Sequence, residues 1–307
     1  MKILITPRSY GKHSDASLKM LEAKGVGIVR NDTGGIMTED MLKSAIAGAE
    51  GVIIGVDPLT ADVMSEAPGL RAVAKYGVGT DNIDLDYCAA NGIKVSVTTG
   101  ANSEAVADYT FALILALARK VVEIDAGCRR RDWKKVTTSD VAHKTLGLIG
   151  LGAIGKKVVR RAKGFDMEVL AFRRNWDGEY GREAGVAYAS VDEICRRSDF
   201  ISLHTPLTEE TRGIIGRREI GLMKPGAYIV NTARGGLIDE EALLEALEAG
   251  RIGGAGLDVF SSEPPEDGRW YSLGNVVLGS HSAASTSGAS ENMSLMSTQN
   301  LLDDLGL

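Results

Sequence analysis

The sequence has little cysteine, and the placement of that cysteine excludes two kinds of structural site. Among 307 residues only Cys88, Cys128 and Cys195 are cysteines, and no two of them form a C-x-x-C pair. The spacing predicts neither a zinc site nor a disulfide framework, and no bound metal is expected. We expect reduced thiols with a structural role.

Positive charge and long apolar runs are also scarce. The 35 lysines and arginines are outnumbered by 41 aspartates and glutamates, which gives a formal net charge of −6. A nucleic-acid partner is not expected, because its phosphates would require a basic face. The apolar runs Ile3–Ile5 and Phe111–Ala118 are too short for a signal-peptide core or a membrane span. These absences predict a cytoplasmic protein without a membrane partner.

What is present is the composition and patterning of an α/β protein. Hydrophobic residues make up 44% and charged residues 25% of the chain, which is long enough for two domains. Short β-rich runs alternate with amphipathic helical runs, and this alternation predicts two doubly wound domains with parallel sheets. A hinge is expected near residue 100, and residues 287–307 are expected to form a helix that packs on a domain already folded.

The most informative segment runs from Thr145 to Gly155 and reads TLGLIGLGAIG. A strand-like run leads into a glycine turn and then into an apolar-periodic helix, which is the context of a dinucleotide-binding motif. Gly150 would permit the turn, Gly152 would let backbone approach a pyrophosphate, and Gly155 would let the helix pack close to the sheet. The helix N–H groups would then face the anion. The predicted cofactor contacts here are Gly150, Gly152, Ala153, Ile154 and Gly155.

The next strand indicates which dinucleotide binds. In the NAD form of this motif an acidic residue about 20 positions downstream accepts hydrogen bonds from the ribose hydroxyls. The segment EVLAFRRN (Glu168–Asn175) carries Arg173 and Arg174 at the strand end instead. Arginine cannot accept from a hydroxyl, but it can bind a 2′-phosphate bidentately. We therefore predict NADP as the preferred cofactor; alternatively, the arginines are a solvated strand end and NAD binds through other contacts.

Further segments line up with the glycine turn in one order, and together they resemble the D-isomer-specific 2-hydroxyacid dehydrogenase family. They are KYGVGTDNID (Lys75–Asp84), SDFISLHTPLTEET (Ser198–Thr211), NTARGGLID (Asn231–Asp239), GLDVFSSEPP (Gly256–Pro265) and VVLGSHSAAS (Val276–Ser285). The resemblance covers nearly the whole chain. It implies a flavodoxin-like substrate domain, residues 1–99 plus 287–307, and a Rossmann cofactor domain, residues 100–286.

The resemblance also implies roles for individual residues. Arg234, Glu263 and His281 match the family's catalytic arginine, glutamate and histidine, and Asp258 matches its aspartate beside the nicotinamide. The implied substrate-binding residues are Lys75, Tyr76, Gly77, Val78 and Gly79. The further cofactor contacts implied are His204, Thr205, Pro206, Thr211, Thr232 and Ala233.

The residue types suit hydride transfer between a nicotinamide and a 2-oxo acid. This reaction needs a cation for the carboxylate and carbonyl oxygens and an acid that titrates near neutrality. Arg234 offers a bidentate fork of donors, and the imidazole of His281 can both give and accept a proton. Glu263 beside the imidazole would favour its protonated form, and Asp258 at a strand end would hold the carboxamide.

The substrate is less well defined than the reaction. Lys75 could bind a second anionic group such as a phosphate, or it could be a solvated lysine at a strand end. Tyr76 could add bulk beside the carboxylate loop or pack beneath it. The candidate substrates are phosphoglycerate, hydroxypyruvate and glyoxylate, whereas formate is not expected, because formate dehydrogenases of the family carry glutamine where Glu263 stands. The family's usual Thr-Pro before the histidine is replaced by Gly279 and Ser280.

A second class of function fits the same motifs. The C-terminal-binding-protein corepressors resemble this family and keep its catalytic residues, so the chain could be a nucleotide-sensing interaction protein. The lack of a long polar tail favours an enzyme. The resemblance also implies a homodimer in contact through the helix Ser103–Lys120. The apolar residues of that helix are Phe111, Leu113, Ile114, Leu115 and Leu117.

Overall fold

A computed structural model describes residues 1–307 and contains twelve β-strands and twelve α-helices. The strands are β1 (Lys2–Ile5), β2 (Gly27–Arg30), β3 (Gly51–Ile54), β4 (Ala72–Lys75), β5 (Lys94–Val97), β6 (Thr145–Ile149), β7 (Glu168–Phe172), β8 (Val186–Tyr188), β9 (Phe200–Leu203), β10 (Tyr228–Asn231), β11 (Gly254–Leu257) and β12 (Val276–Leu278). The helices are α1 (Ala16–Glu22), α2 (Glu39–Ile46), α3 (Ala61–Ser65), α4 (Leu85–Ala90), α5 (Ser103–Ala118), α6 (Val121–Arg129), α7 (Ala153–Lys163), α8 (Gly178–Ala184), α9 (Val191–Arg197), α10 (Arg217–Leu222), α11 (Glu240–Glu248) and α12 (Ser287–Leu305). None of these helices is both long and apolar enough to cross a bilayer.

The chain divides into two compact units. The first unit comprises residues 1–102 and 285–307, and the second comprises residues 103–284. The boundaries predicted from the sequence, at residues 99 and 286, lie close to these.

The first unit is built on a five-stranded parallel sheet with the order β2-β1-β3-β4-β5. This is the flavodoxin-like order, in which the direction of winding reverses between β1 and β3. Helix α12 belongs to this unit, because its Leu301, Leu302 and Leu305 pack into one core cluster with Ile3 and Ile5 of β1. The C-terminal segment therefore folds onto the sheet formed by the N-terminal segment.

The second unit has a seven-stranded parallel sheet with the order β12-β11-β10-β9-β6-β7-β8. This is a Rossmann sheet with one strand added at its edge, and winding reverses between β6 and β9. The predicted fold class, two doubly wound parallel α/β domains, is confirmed.

Four of the five apolar residues expected at a dimer contact on α5 are not exposed, and the fifth, Leu115, is half-buried. Phe111, Leu113, Ile114 and Leu117 are buried in the core of the second unit. The reason lies in β11, because a Cβ built at Gly256 would lie only 3.0 Å from Cβ of Leu113. Because Gly256 has no side chain, α5 packs directly on the backbone of β11. The apolar residues of α5 are therefore explained by the core of this unit and do not support a dimer contact.

Several elements differ from the sequence prediction. Helix α5 ends at Ala118, because Lys120 adopts a left-handed conformation with φ 49° before α6 begins. The short helices α8 and α10 were not predicted, because each has only one buried residue and so lacks a clear apolar period.

Candidate functional site

The turn between β6 and α7 is fixed by close backbone packing. The amide of Gly150 donates to the carbonyl of Phe172 (2.9 Å), and the amide of His204 donates to the carbonyl of Ile149 (2.7 Å). Gly150 has φ +108°, and a Cβ at this position would lie 2.3 Å from the His204 carbonyl oxygen. A Cβ at Gly155 would lie 2.5 Å from the Gly150 oxygen. Both glycines are therefore required by the protein's own packing.

Gly152 is different, because nothing in the protein requires a glycine there. Its φ of −89° is open to any residue, and a Cβ would meet no atom within 4 Å. Helix α7 begins directly after it, with no side-chain cap and no acidic residue in its first turn. Its first N–H groups therefore have no capping side chain, and no carboxylate compensates the positive end of its dipole. These features fit the pyrophosphate of a dinucleotide.

The two arginines after β7 have different environments. Arg174 forms an exposed ion pair with Glu210 at 2.5 Å. Arg173 is half-buried and makes no hydrogen bond or ion pair. Its charge contributes to holding the pKa of Asp177 below the usual value, after the larger effects of the Tyr180 amide and Lys156. Of the two guanidinium groups, only that of Arg173 keeps all its donors for a ligand.

The loop after β9 lies on the other side of β6. The imidazole of His204 shares a hydrogen bond with the Ser202 hydroxyl (2.9 Å), and burial lowers its pKa to about 4. His204 is therefore neutral at physiological pH. The Thr211 hydroxyl donates to the Pro206 carbonyl (2.7 Å) and accepts from the Thr208 amide (2.8 Å). The loop is held in one shape by Thr211, a positioning role, while Thr205 lies half-buried at its start.

Four candidate residues follow three neighbouring strands of the second unit. Arg234 follows β10, Asp258 and Glu263 follow β11, and His281 follows β12. Because β10, β11 and β12 are adjacent and parallel, their carboxyl ends meet at one edge of the sheet. The fold therefore brings together side chains that lie far apart in the sequence.

Glu263 and His281 form a direct pair. Glu263 Oε2 lies 2.8 Å from His281 Nδ1, which leaves Nε2 of the imidazole for another partner. Burial alone would raise the pKa of Glu263, but its hydrogen bond to His281, the Phe260 amide and the charge of Arg234 bring that pKa below its usual value. His281 itself has φ +56°, a conformation that a non-glycine residue adopts only when its surroundings enforce it.

Hydrogen bonds to Asp258 hold the backbone of His281 in its left-handed conformation. Its carbonyl accepts from the His281 amide (2.8 Å). Its carboxylate oxygens accept from the amides of Ser282 (2.9 Å) and Ala283 (2.8 Å). Burial raises the pKa of Asp258 above its usual value, opposed by these amides. A Cβ at Gly279 would lie 2.2 Å from Asp258 Oδ1, so in this chain the carboxylate occupies the space that a side chain at residue 279 would take.

The segment carrying Arg234 is ordered by a residue that the sequence analysis did not single out. Asn231 Nδ2 donates to the Arg234 carbonyl (2.7 Å), and its Oδ1 accepts from the Ala233 amide (3.0 Å). The buried Thr232 shares a hydrogen bond with Thr110 of α5 (3.1 Å). Asn231 is buried. The sequence signal that could have identified it is an amide residue at the end of an apolar strand, at the start of the motif NTARGGLID.

The first unit carries its own candidate loop after β4. Both backbone groups of Gly77 are used by Thr98, whose hydroxyl accepts from the Gly77 amide (2.9 Å). The successive amides of Val78 and Gly79 have no protein acceptor. Two adjacent N–H groups without a protein acceptor can both donate to one anion.

The two neighbours of that loop are anchored within the unit. Lys75 is only 5% exposed, and its ammonium donates to the Gly55 carbonyl and to Asn82 Oδ1. The alternative of a solvated lysine is therefore wrong. The Tyr76 hydroxyl donates to the Ser290 carbonyl (2.9 Å) and accepts from Ser9 (3.1 Å), so the tyrosine is tied to α12.

Comparison with known proteins identifies clear relatives. A family model described as D-isomer specific 2-hydroxyacid dehydrogenase, NAD binding domain, matches residues 111–283. A glyoxylate reductase from Thermococcus litoralis is 41% identical over 260 residues, covering 82% of this chain and 78% of the relative. A D-3-phosphoglycerate dehydrogenase from Methanocaldococcus jannaschii is 43% identical over 290 residues, covering 93% of this chain and 54% of that protein.

Solved structures match over the full length. The TT0316 protein from Thermus thermophilus is 38% identical with a TM-score of 0.90, covering 100% of this chain and 97% of that one. A D-lactate dehydrogenase from Aquifex aeolicus, complexed with NAD and lactic acid, is 30% identical with a TM-score of 0.86, covering 99% of this chain and 95% of that one.

We predict that Gly152→Ala weakens binding of an adenine dinucleotide without affecting the fold. The added methyl meets no protein atom within 4 Å but would occupy the approach to the first turn of α7. Calorimetry should show a loss of about tenfold or more, the cost of a poorly placed anion contact. Gly221→Ala, where a Cβ also meets nothing within 4 Å, is the matched control and should bind normally. Equal affinity in both variants would contradict the role of Gly152.

Proposed function

We propose that this chain, a member of the D-isomer-specific 2-hydroxyacid dehydrogenase family, is an NADPH-preferring reductase of small 2-oxo acids such as glyoxylate or hydroxypyruvate. The reaction of the family is the transfer of a hydride between a nicotinamide cofactor and a 2-hydroxy or 2-oxo acid. The observation that carries the reaction is the bond between His281 Nδ1 and Glu263. The observation that carries the cofactor preference is Arg173, a half-buried arginine without a partner after β7.

In the proposed mechanism the nicotinamide, when bound, supplies the hydride to the carbonyl carbon of the substrate. His281 holds the proton that the new alkoxide needs and donates it from Nε2, because Nδ1 is committed to Glu263. Glu263 is ionised at neutral pH, since its pKa lies below the usual value, and its charge stabilises the imidazolium. Arg234 binds the carboxylate and the carbonyl oxygen of the substrate.

Asp258 has a second role in this proposal besides the expected contact with the carboxamide. Its carboxylate already accepts two amides from the segment after His281, so it positions the proton donor. In the first unit we assign the free amides of Val78 and Gly79 to the substrate carboxylate. Lys75 and Tyr76 directly precede that loop, and hydrogen bonds to Asn82 and to the Ser290 carbonyl hold their side chains in place.

The choice of a small substrate rests on two supports. Several relatives are named glyoxylate reductases, the one from Thermococcus litoralis among them. Lys75, the residue expected to bind a second anionic group of the substrate, is only 5% exposed, and its ammonium already donates to the Gly55 carbonyl and to Asn82 Oδ1. Initial rates with glyoxylate, hydroxypyruvate, phosphohydroxypyruvate and pyruvate, each with NADPH and NADH, test the proposal. Turnover of phosphohydroxypyruvate alone would overturn the assignment of small substrates. The corepressor-like alternative has no support among these relatives.

We also propose a homodimer, formed through a surface other than the buried face of α5. Helix α6 has no buried residue, and Val121 and Val122 on it are exposed. Trp133, in the segment that follows, is 85% exposed, which is unusual for a large apolar side chain. Light scattering should give the mass of two chains, and Trp133→Ser should shift it towards one. A monomeric wild type would contradict the proposal.

We predict that Glu263→Gln shifts the pH profile of 2-oxo-acid reduction to lower pH. Without its anionic neighbour, less of His281 is protonated at a given pH, so the acid form needed for reduction persists only at lower pH. The measurement is kcat/KM against pH. His281→Ala should lose about 10²- to 10⁴-fold in turnover, and adding Glu263→Gln to it should change the profile no further. An unchanged profile in the single variant would argue against the pairing.

We predict that Arg173→Asp reverses the cofactor preference. The substitution replaces a bidentate phosphate contact with like-charge repulsion, so NADPH should bind far more weakly while NADH binds equally or better. The measurement is the NADPH-to-NADH ratio of kcat/KM, expected to fall by about 100-fold or more. Arg174 is already paired with Glu210, so Arg174→Ala should lower the NADPH-to-NADH ratio less. A wild type that prefers NADH would refute NADP as the preferred cofactor.

A further inference from the structure

The exposed ion pair between Arg174 and Glu210 joins two loops that stand on opposite sides of β6. Arg174 follows β7 and Glu210 lies in the loop after β9, and the order β9-β6-β7 places β6 between them. Both loops start against the glycine turn, through the bonds Gly150 amide to Phe172 carbonyl and His204 amide to Ile149 carbonyl. The pair therefore spans the carboxyl end of β6, beside the crevice in which folds of this type bind a dinucleotide.

The ion pair neutralises one of the two arginines after β7 and leaves the other without a carboxylate partner. Arg174 is engaged by a carboxylate, although both side chains are well exposed, at 76% and 71%. Arg173 has no such partner. An exposed ion pair is weak, so a doubly charged phosphate can displace the carboxylate from Arg174. The displaced carboxylate would then remain close to the phosphate as a like charge.

The backbone that carries Glu210 is held in place, so a displaced carboxylate stays within the reach of its own side chain. The loop around it is held by Thr211, whose hydroxyl bonds Pro206 and Thr208. The Arg212 amide also donates to the Thr208 carbonyl (2.9 Å). The carboxylate is therefore presented from a fixed turn.

From these contacts we propose that Glu210 is a specificity-determining residue that limits the preference for 2′-phosphorylated cofactors. It competes with the 2′-phosphate for Arg174 and repels that phosphate from the opposite wall of the crevice. The inference rests on the proposed binding of a 2′-phosphate beside Arg173. It adds that the chain opposes this binding with a carboxylate of its own, so the preference for NADP is smaller than two arginines alone would produce.

The test measures binding of adenosine fragments to the full chain, without nicotinamide or turnover. Calorimetry with 2′,5′-ADP and with ADP separates the contribution of the 2′-phosphate from that of the remaining contacts. Glu210→Gln should raise affinity for 2′,5′-ADP about three- to tenfold, the usual scale for removing one exposed like charge, and change affinity for ADP less than twofold. The gain should shrink as ionic strength rises, because the groups are exposed.

Two controls separate this mechanism from a general effect of charge. Glu209→Gln removes the same charge from the neighbouring exposed residue, which has no ion pair, and should change neither affinity by more than twofold. In an Arg174→Ala background the effect of Glu210→Gln should fall, because the competition for the guanidinium is gone. Matching melting temperatures would establish that the variants are folded.

The outcomes distinguish this inference from the proposed cofactor preference. If the wild type binds ADP as tightly as 2′,5′-ADP and Arg173→Asp leaves that ratio unchanged, the NADP preference fails, whatever Glu210 does. If Arg173→Asp behaves as expected but Glu210→Gln acts no more strongly than Glu209→Gln, only the role of Glu210 fails. Weaker binding of both fragments by Glu210→Gln would also overturn the inference, because it would identify Glu210 as an acceptor for the ribose.

Discussion

The close approach of Gly150 to the His204 carbonyl is the constraint on which the cofactor half of the second unit depends. With only 2.3 Å between a built Cβ and that oxygen, no side chain is possible at residue 150. The approach ties the loop after β9 to the turn after β6, and the Gly150 amide ties the same turn to the end of β7. The first turn of α7, Arg173 and the Thr211 loop consequently surround one crevice, at the point where winding reverses.

A buried carboxylate organises the reacting groups in a similar way. Asp258 binds three consecutive amides, those of His281, Ser282 and Ala283, through its carbonyl and its carboxylate. This arrangement compensates for the left-handed backbone of His281 and directs its Nδ1 towards Glu263. The absence of a side chain at Gly279 is part of the same arrangement, because Asp258 Oδ1 occupies the space that a Cβ would take.

Much of the fold and the candidate site could be predicted from local pattern. The alternation of strands and helices and the glycine turn depend on neighbouring residues, so the parallel α/β class followed from them. The interpretation of α5 was wrong about its surroundings, because hydrophobicity does not reveal which neighbour covers a helix. Here Gly256 has no side chain, so Leu113 packs directly on the backbone of β11. Asn231 was missed because it acts by ordering the loop through hydrogen bonds with the backbone of Ala233 and Arg234, and these bonds form only when the loop is folded.

The sequence by itself determined the residue types at the strand ends: glycines before α7, arginines after β7, and an arginine, two acids and a histidine after the last three strands. Only the tertiary structure decided what each of these groups contacts. Arg173 and Arg174 are adjacent and chemically identical, yet Glu210 pairs with one and not with the other. Lys75 is buried against Asn82 and not solvated. The physical reason is that burial and charge pairing depend on distances across loops remote in sequence, which local pattern does not encode.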